Sequence, residues 1–298
     1  MKLKSLILCA LALAVGTSLV FAATQASKKD QNQTANNEIS TNTFESVSDS
    51  RAESSNQPGV ESLTKPVVQE YFEAVVNEEI LSFNRVFSED AVITVVSREL
   101  DTLEKRMRFA TNEVFGGAYE VYRAEQTHNG IRMLLRFTPE GWNRPEPLAV
   151  YDFKIENNLI TQANLQYATD EDLDYFENKT LEDTSLIPYG FSKYLEGVEK
   201  DQSEILILGF TEDGRVLDVS RTIEGRQAIK RWADKEVLSL EYSVGKIVFT
   251  KKGARLYNNI RFGQNTSGFY ASYDLDLKEG LIHFSDLQYA KSSDFNFR

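Results

Sequence analysis

The segments 151–168 and 273–290 agree at 8 of 18 positions, both opening on Tyr-Asp and closing on Leu-Gln-Tyr-Ala, with an offset of 122. Phe87-Ser-Glu-Asp90 meets Phe210-Thr-Glu-Asp213 at an offset of 123. At that same offset Val68, Tyr71, Phe72 and Val75 fall on Phe191, Tyr194, Leu195 and Val198. Agreement at the start, middle and end on nearly one offset implies an internal duplication. Whatever fold the chain takes must then be built twice, from units of roughly a hundred residues.

Each unit has the same order of signals. In the first, Pro66 precedes an apolar stripe at helical spacing, Val68, Tyr71, Phe72, Val75 and Val76, and a short second helix follows at Ile80, Leu81, Phe83, Val86 and Phe87. Val92–Val96 then reads as a strand and Thr102–Val114 as a polar helix. Four β-branched or aromatic runs end the unit, Tyr119–Thr127, Ile131–Phe137, Leu148–Ile155 and Leu159–Tyr167, with His128-Asn129-Gly130 as a tight hairpin turn. In the second unit Gly225 makes a turn into a helix on which Ala228, Ile229 and Trp232 share one face. Its counterpart is Leu100–Phe109. Helices first and strands after predict an α+β fold, with the helices packed on one face of a mainly antiparallel sheet.

What lies outside the units has a different character. Met1–Ala22 carries Lys2 and Lys4, an apolar run from Leu6 to Phe21 and a small-residue end at Val20-Phe-Ala22, the pattern of a secretory leader. Leu6–Ala23 is also just long enough for an uncleaved anchor. The chain is therefore expected to be exported, either periplasmic or secreted, or membrane-tethered if the leader stays. Residues 23–63 are rich in Ser, Asn, Gln and Thr and read as a disordered tether. Residues 169–185 hold seven acids against Lys179 and read as a solvated linker, and 291–298 as a tail.

Charge and cysteine exclude several functions. A net charge of -12 argues against nucleic acid as a partner. Cys9 is the only cysteine and lies in the leader, so disulfide, thiolate and cysteine-metal chemistry are not expected in the mature chain. With no His-x-x-x-His, Gly-x-Ser-x-Gly or phosphate-loop pattern, neither a metal nor a cofactor is expected.

On the pieces Val67-Val-Gln-Glu-Tyr-Phe-Glu-Ala74, Phe210-Thr-Glu-Asp-Gly-Arg-Val-Leu-Asp218 and Ile223–Trp232, each unit resembles the nuclear transport factor 2-like superfamily. That superfamily includes ketosteroid isomerases, scytalone dehydratase and SnoaL-like polyketide cyclases. The resemblance covers 64–168, a more divergent copy, and 186–290. It implies two tandem cone-shaped units with a curved sheet, an apolar pocket at the wide end of each cone, and an internal pseudo-dimer or a homodimer. Separate beads on a string are the alternative.

The resemblance to ketosteroid isomerases also implies a catalytic set in the second unit. Tyr194 falls 16 residues before Phe210, where the family has its oxyanion donor, and Asp218 falls 8 after it, where the family has its base. Tyr273 stands near the family's third residue, an aspartate. Such a set would suit proton abstraction beside a carbonyl. The first unit keeps Tyr71 and Tyr151 but has Val95 at the base position. Each residue also has a plain packing role: a core tyrosine for Tyr194 and Tyr273, and for Asp218 an ion pair with Arg221 or Arg226. His283 alternates in phase with Leu281, Ser285 and Leu287 and could act alone in a pocket. Trp232, Tyr194 and Tyr71 are the candidate ligand-binding residues.

These features lead to one expectation and two rivals. The expectation is an exported, non-catalytic tandem protein that binds a small apolar or amphipathic ligand, or a protein partner. One rival is an acid-base enzyme in the second unit, and the other is a purely structural module of the cell envelope.

Overall fold

The structure is a computed structural model that describes residues 65–182, 184–263 and 268–298. The leader and the tether lie outside the described residues.

The first helix, α1 (Val67–Val76), starts at Pro66, whose fixed φ suits the step into a helix. Val68, Tyr71, Phe72 and Val75 are fully buried, as their spacing predicts. Asn77 closes the helix, and Glu78 follows with φ +60°. The short α2 (Ile80–Arg85) leads into β1 (Phe87–Val95), which starts at Phe87 and so includes Phe87-Ser-Glu-Asp90 in the strand. The chain turns at Val96 into β2 (Arg98–Leu100). The helix α3 (Leu103–Phe109) is capped by Thr102, whose Oγ1 accepts from Lys105 N at 3.3 Å. A wider π-turn over Ala110–Val114 follows it. Four strands then run as an antiparallel meander, β3 (Ala118–Thr127), β4 (Gly130–Thr138), β5 (Ala149–Glu156) and β6 (Leu159–Tyr167), and β6 lies parallel to β1.

After α4 (Asp170–Phe176) come α5 (Tyr189–Glu199), α6 (Ser203–Leu206), β7 (Phe210–Asp218), β8 (Arg221–Glu224) and α7 (Arg226–Trp232). The last four strands are β9 (Glu241–Thr250), β10 (Gly253–Arg261), β11 (Phe269–Lys278) and β12 (Leu281–Tyr289). Gly225 enters α7 at φ +78°, a region open to glycine and unfavourable to most side chains.

One mixed sheet results, in the order β2-β1-β6-β5-β4-β3-β9-β10-β11-β12-β7-β8. Outward from the β3/β9 seam, the six strands on each side follow one order. The seam is short: Glu120 pairs with Val248 and Val121 with Ile247, and Arg123 Nη1 donates to Gly245 O at 3.0 Å. Packing continues across it. Phe72 stacks on Phe249 with centroids 4.6 Å apart, and Gln69 Nε2 donates to Ser185 O and Ile187 O at 2.6 and 3.0 Å. A single buried cluster draws residues from both sides, so the two strand sets are joined edge to edge and are not separate beads.

Two segments depart from the sequence expectation. Residues 169–185 are not a solvated linker: Asp170, Glu171 and Asp172 occupy the first turn of α4, where exposed amides favour negative charge. Thr169 and Asp172 close a capping box, Arg132 reaches Asp172 at 2.8 Å, and Phe176 and Leu181 are fully buried. The acid run hid the apolar residues interleaved with it. Residues 291–298 likewise pack on the sheet. Phe297 lies against Tyr122, and the Phe295 ring fills the space above Gly245, where an added Cβ would lie 2.0 Å from it.

Candidate functional site

Each strand set encloses a cluster of three tyrosines, all buried on the N-terminal side and, on the C-terminal side, buried except for the partly buried Tyr242. On the N-terminal side Tyr71 Oη, from α1, lies 3.1 Å from Tyr151 Oη and 3.5 Å from Tyr119 Oη. On the C-terminal side Tyr194, from α5, lies 2.7 Å from Tyr242 Oη and 3.4 Å from Tyr273 Oη, and Tyr242 and Tyr273 are 3.2 Å apart. The structure thus brings Tyr194 and Tyr273 together, but each hydroxyl partners another tyrosine. Burial drives Tyr71, Tyr151, Tyr194 and Tyr273 well above the usual phenol range, and pushes Tyr119 up to about 12. Neutral hydroxyls in this setting are hydrogen-bond donors, not bases.

Asp218 ends β7 beside Leu287, as Val95 ends β1 beside Leu165. Both strands then turn through a left-handed valine, Val96 at φ +57° and Val219 at φ +56°. The Asp218 carboxylate is bound by Arg221 at 2.5 Å, and Arg221 also grips Glu236 through both Nη atoms at 3.1 and 2.8 Å. Those contacts raise the Arg221 pKa, Glu236 contributing most. Asp218 and Tyr273 flank Leu287 in register, one strand on either side.

The remaining candidates are spread apart. Tyr71 is fully buried and Trp232 nearly so. His283 Nδ1 sits 3.3 Å from Thr211 Oγ1 and 3.5 Å from the exposed Asp213. Its expected phase with Ser285 fails because the β11/β12 ladder slips between Asp276 and Leu277. Ile282 and Ser285 are both buried as a result, three residues apart instead of two.

Among the described residues, three of the cavities have volumes of about 760, 460 and 440 Å³. None of the three is lined by Tyr71, Tyr194, Trp232, Tyr273, Asp218 or His283. The 460 Å³ cavity opens at the mouth of the N-terminal set, over Val95, Phe109, Tyr119, Leu135 and Ala149, with Trp142 and Tyr167 on its rim. Arg98 and Glu113 stand beside them, joined at 2.8 and 2.6 Å. This pair is the counterpart of Arg221 and Glu236 at the 123-residue offset, as Tyr119 is of Tyr242. The offset therefore carried a signal for all six residues, whereas Trp142 lies in the β4–β5 connection, where no tryptophan stands in the corresponding β10–β11 stretch of the sequence.

No family model and no curated protein matches the chain. Among solved structures it is similar to a candidate polyketide cyclase from Sinorhizobium meliloti, with 16% identity over 36% of this chain and 99% of the other and a TM-score of 0.31. It is similar to an NTF2-like protein of unknown function from Cytophaga hutchinsonii, with 15% identity over 34% and 87% and a TM-score of 0.31. It is also similar to the Mycobacterium tuberculosis protein RV0760c in complex with estradiol-17beta-hemisuccinate, with 13% identity over 35% and 92% and a TM-score of 0.32.

Proposed function

We propose that the chain is an exported tandem protein of the nuclear transport factor 2-like kind, and that it holds a small apolar or amphipathic molecule in the N-terminal mouth without transforming it. The observation that carries this reading is the 460 Å³ cavity, whose aromatic and aliphatic walls meet Val95 where a base would stand. A volume of that size suits a small ligand, and walls of this composition gain free energy when water is displaced from them. This cavity lies on the side that lacks the carboxylate, whereas the sequence pointed to pocket chemistry in the other unit.

Trp142 and Trp232 are the only tryptophans, so Trp232→Phe leaves the cavity rim as the sole indole reporter. Saturable quenching of that variant by a bound apolar molecule, present in extract of the source organism and absent from buffer, is the expected result. An emission spectrum that no extract fraction alters contradicts the reading.

Asp218 and Tyr273 on either side of Leu287, with Tyr273 joined to Tyr194, favour a second reading, acid-base catalysis beside a carbonyl in the C-terminal set. It requires Arg221 to release the carboxylate. Isomerisation of an unsaturated ketone, abolished by Asp218→Asn, would support this reading over the first.

A further inference from the structure

The largest of the three cavities lies away from both tyrosine clusters. Its 760 Å³ are walled by α1, by the start of α5, and by the β9–β10 and β11–β12 turns. It is thus built from both strand sets and would not exist in either one alone. Two contacts fix its shape. The Gln69 amide, itself 96% buried, donates to Ser185 O and Ile187 O, and Lys251 Nζ lies 3.1 Å from Glu78, tying the β9–β10 turn to the end of α1.

We propose that this groove binds an amphipathic anion, an apolar chain carrying one carboxylate or phosphate head. Its lining holds three lysines against the two acids Glu73 and Glu279, together with neutral polar residues and an apolar wall. Lys65, Lys251 and Lys252 bring three cations to one groove of a chain whose net charge is -12. Lys65 holds Glu73 at 2.5 Å and Lys251 holds Glu78, while Lys252 has no ion-pair partner among the described residues. An anionic head completes Lys252 and shares the other two. On an acidic surface that repels anions generally, a local cluster of lysines is where one is accepted. The apolar wall has Ile187, Pro188 and Leu277 beside the Tyr189 ring, which Lys193 Nζ covers at 5.7 Å. That wall takes the chain, and the volume falls within the range of small-molecule sites.

The proposal stands independently of ligand binding at the mouth, and one variant separates the two sites. Dodecanoate, kept below its micelle concentration, is titrated calorimetrically into the full chain at low salt. We expect saturable binding of one molecule, weakened about tenfold or more by Lys252→Glu, weakened by added salt, and unchanged by Ala149→Trp, which fills the mouth cavity. Lys252 is exposed and unpaired, so its substitution leaves folding intact, which equal melting temperatures verify. Amide shifts at Gly253 and Gly280 should accompany binding. Failure to bind dodecanoate, binding indifferent to Lys252→Glu, or binding lost in Ala149→Trp would each overturn the proposal. So would Lys252-dependent cosedimentation with phosphatidylglycerol vesicles without any binding of free dodecanoate, since the groove would then read a lipid surface.

Discussion

The N-terminal and C-terminal mouths share most of their parts and differ in polarity at two inward positions: Val95 becomes Asp218 at the strand end, and Leu135 becomes the buried Asn258, whose Oδ1 has no hydrogen-bond partner among the described residues. Both have three tyrosines, a left-handed valine after the strand and an arginine-glutamate pair beside it. Where the first has Val95, the second has Asp218, and the consequence is electrostatic. A carboxylate there recruits Arg221 away from a one-to-one pair with Glu236 and into a bridge between two acids. Arg98 has no such second partner at Val95, so the floor of the N-terminal cavity over Val95, Leu135 and Ala149 is apolar, while the charges of Arg98, Glu113 and Glu146 line it elsewhere. The tyrosine triad thus belongs to the core of each set, while the strand-end residue and the Leu135/Asn258 position set what its mouth presents.

The comparison can be broken most severely by filling both mouths. Ala149 lines the open cavity, and Ala271, its counterpart at an offset of 122, is 1% exposed. Ala271→Trp should cost about 3 kcal/mol or more from overpacking, whereas Ala149→Trp should cost less than about 1 kcal/mol because its ring enters open volume. Urea unfolding of the two variants measures the difference, and equal losses would refute the asymmetry.

A smaller effect is expected at the triads. Tyr194→Phe removes the hydroxyl that meets Tyr242 at 2.7 Å and Tyr273 at 3.4 Å, and leaves buried partners short of a bond. About 1–2 kcal/mol should be lost, and slightly less for Tyr71→Phe, whose contacts are 3.1 and 3.5 Å. Losses below a few tenths in both would mean that the hydroxyls do not hold the cores together.

The smallest effect concerns acid. Arg98 holds the Glu113 carboxyl below its ordinary value. A group depressed in the folded state stabilises fully above its unfolded pKa, near 4.3, and loses that contribution as pH falls through the folded value. Arg98→Ala should therefore flatten the acid limb of a melting-temperature profile between about pH 5 and pH 3. Because both side chains are half exposed, the change should be no more than about 2 °C.

Much of the frame was legible because it obeys simple periods. The strand β6 begins at Leu159 and ends at Tyr167 as its pattern predicts, and the α1 stripe is buried as its helical spacing requires. What escaped has physical reasons. The helix α4 was hidden because its acids, read as solvated, are placed where a helix start welcomes them. The phase of His283 was lost to a ladder slip that alternation does not anticipate. The catalytic set was expected around Asp218 because a motif match marks residue types, whereas a cavity depends on which side chains leave space, and the 460 Å³ cavity lies at the mouth of the other set. Trp142 and the lysines of the inter-set groove come from loops and turns, and only the fold brings them together.

Native mass spectrometry tests the central claim most directly, on full-length protein purified from its source in wild-type and Ala149→Trp forms. A small-molecule adduct on the wild type, released on denaturation and absent from Ala149→Trp, is the predicted result. An adduct retained by Ala149→Trp, or a wild-type chain that carries none, would contradict the account.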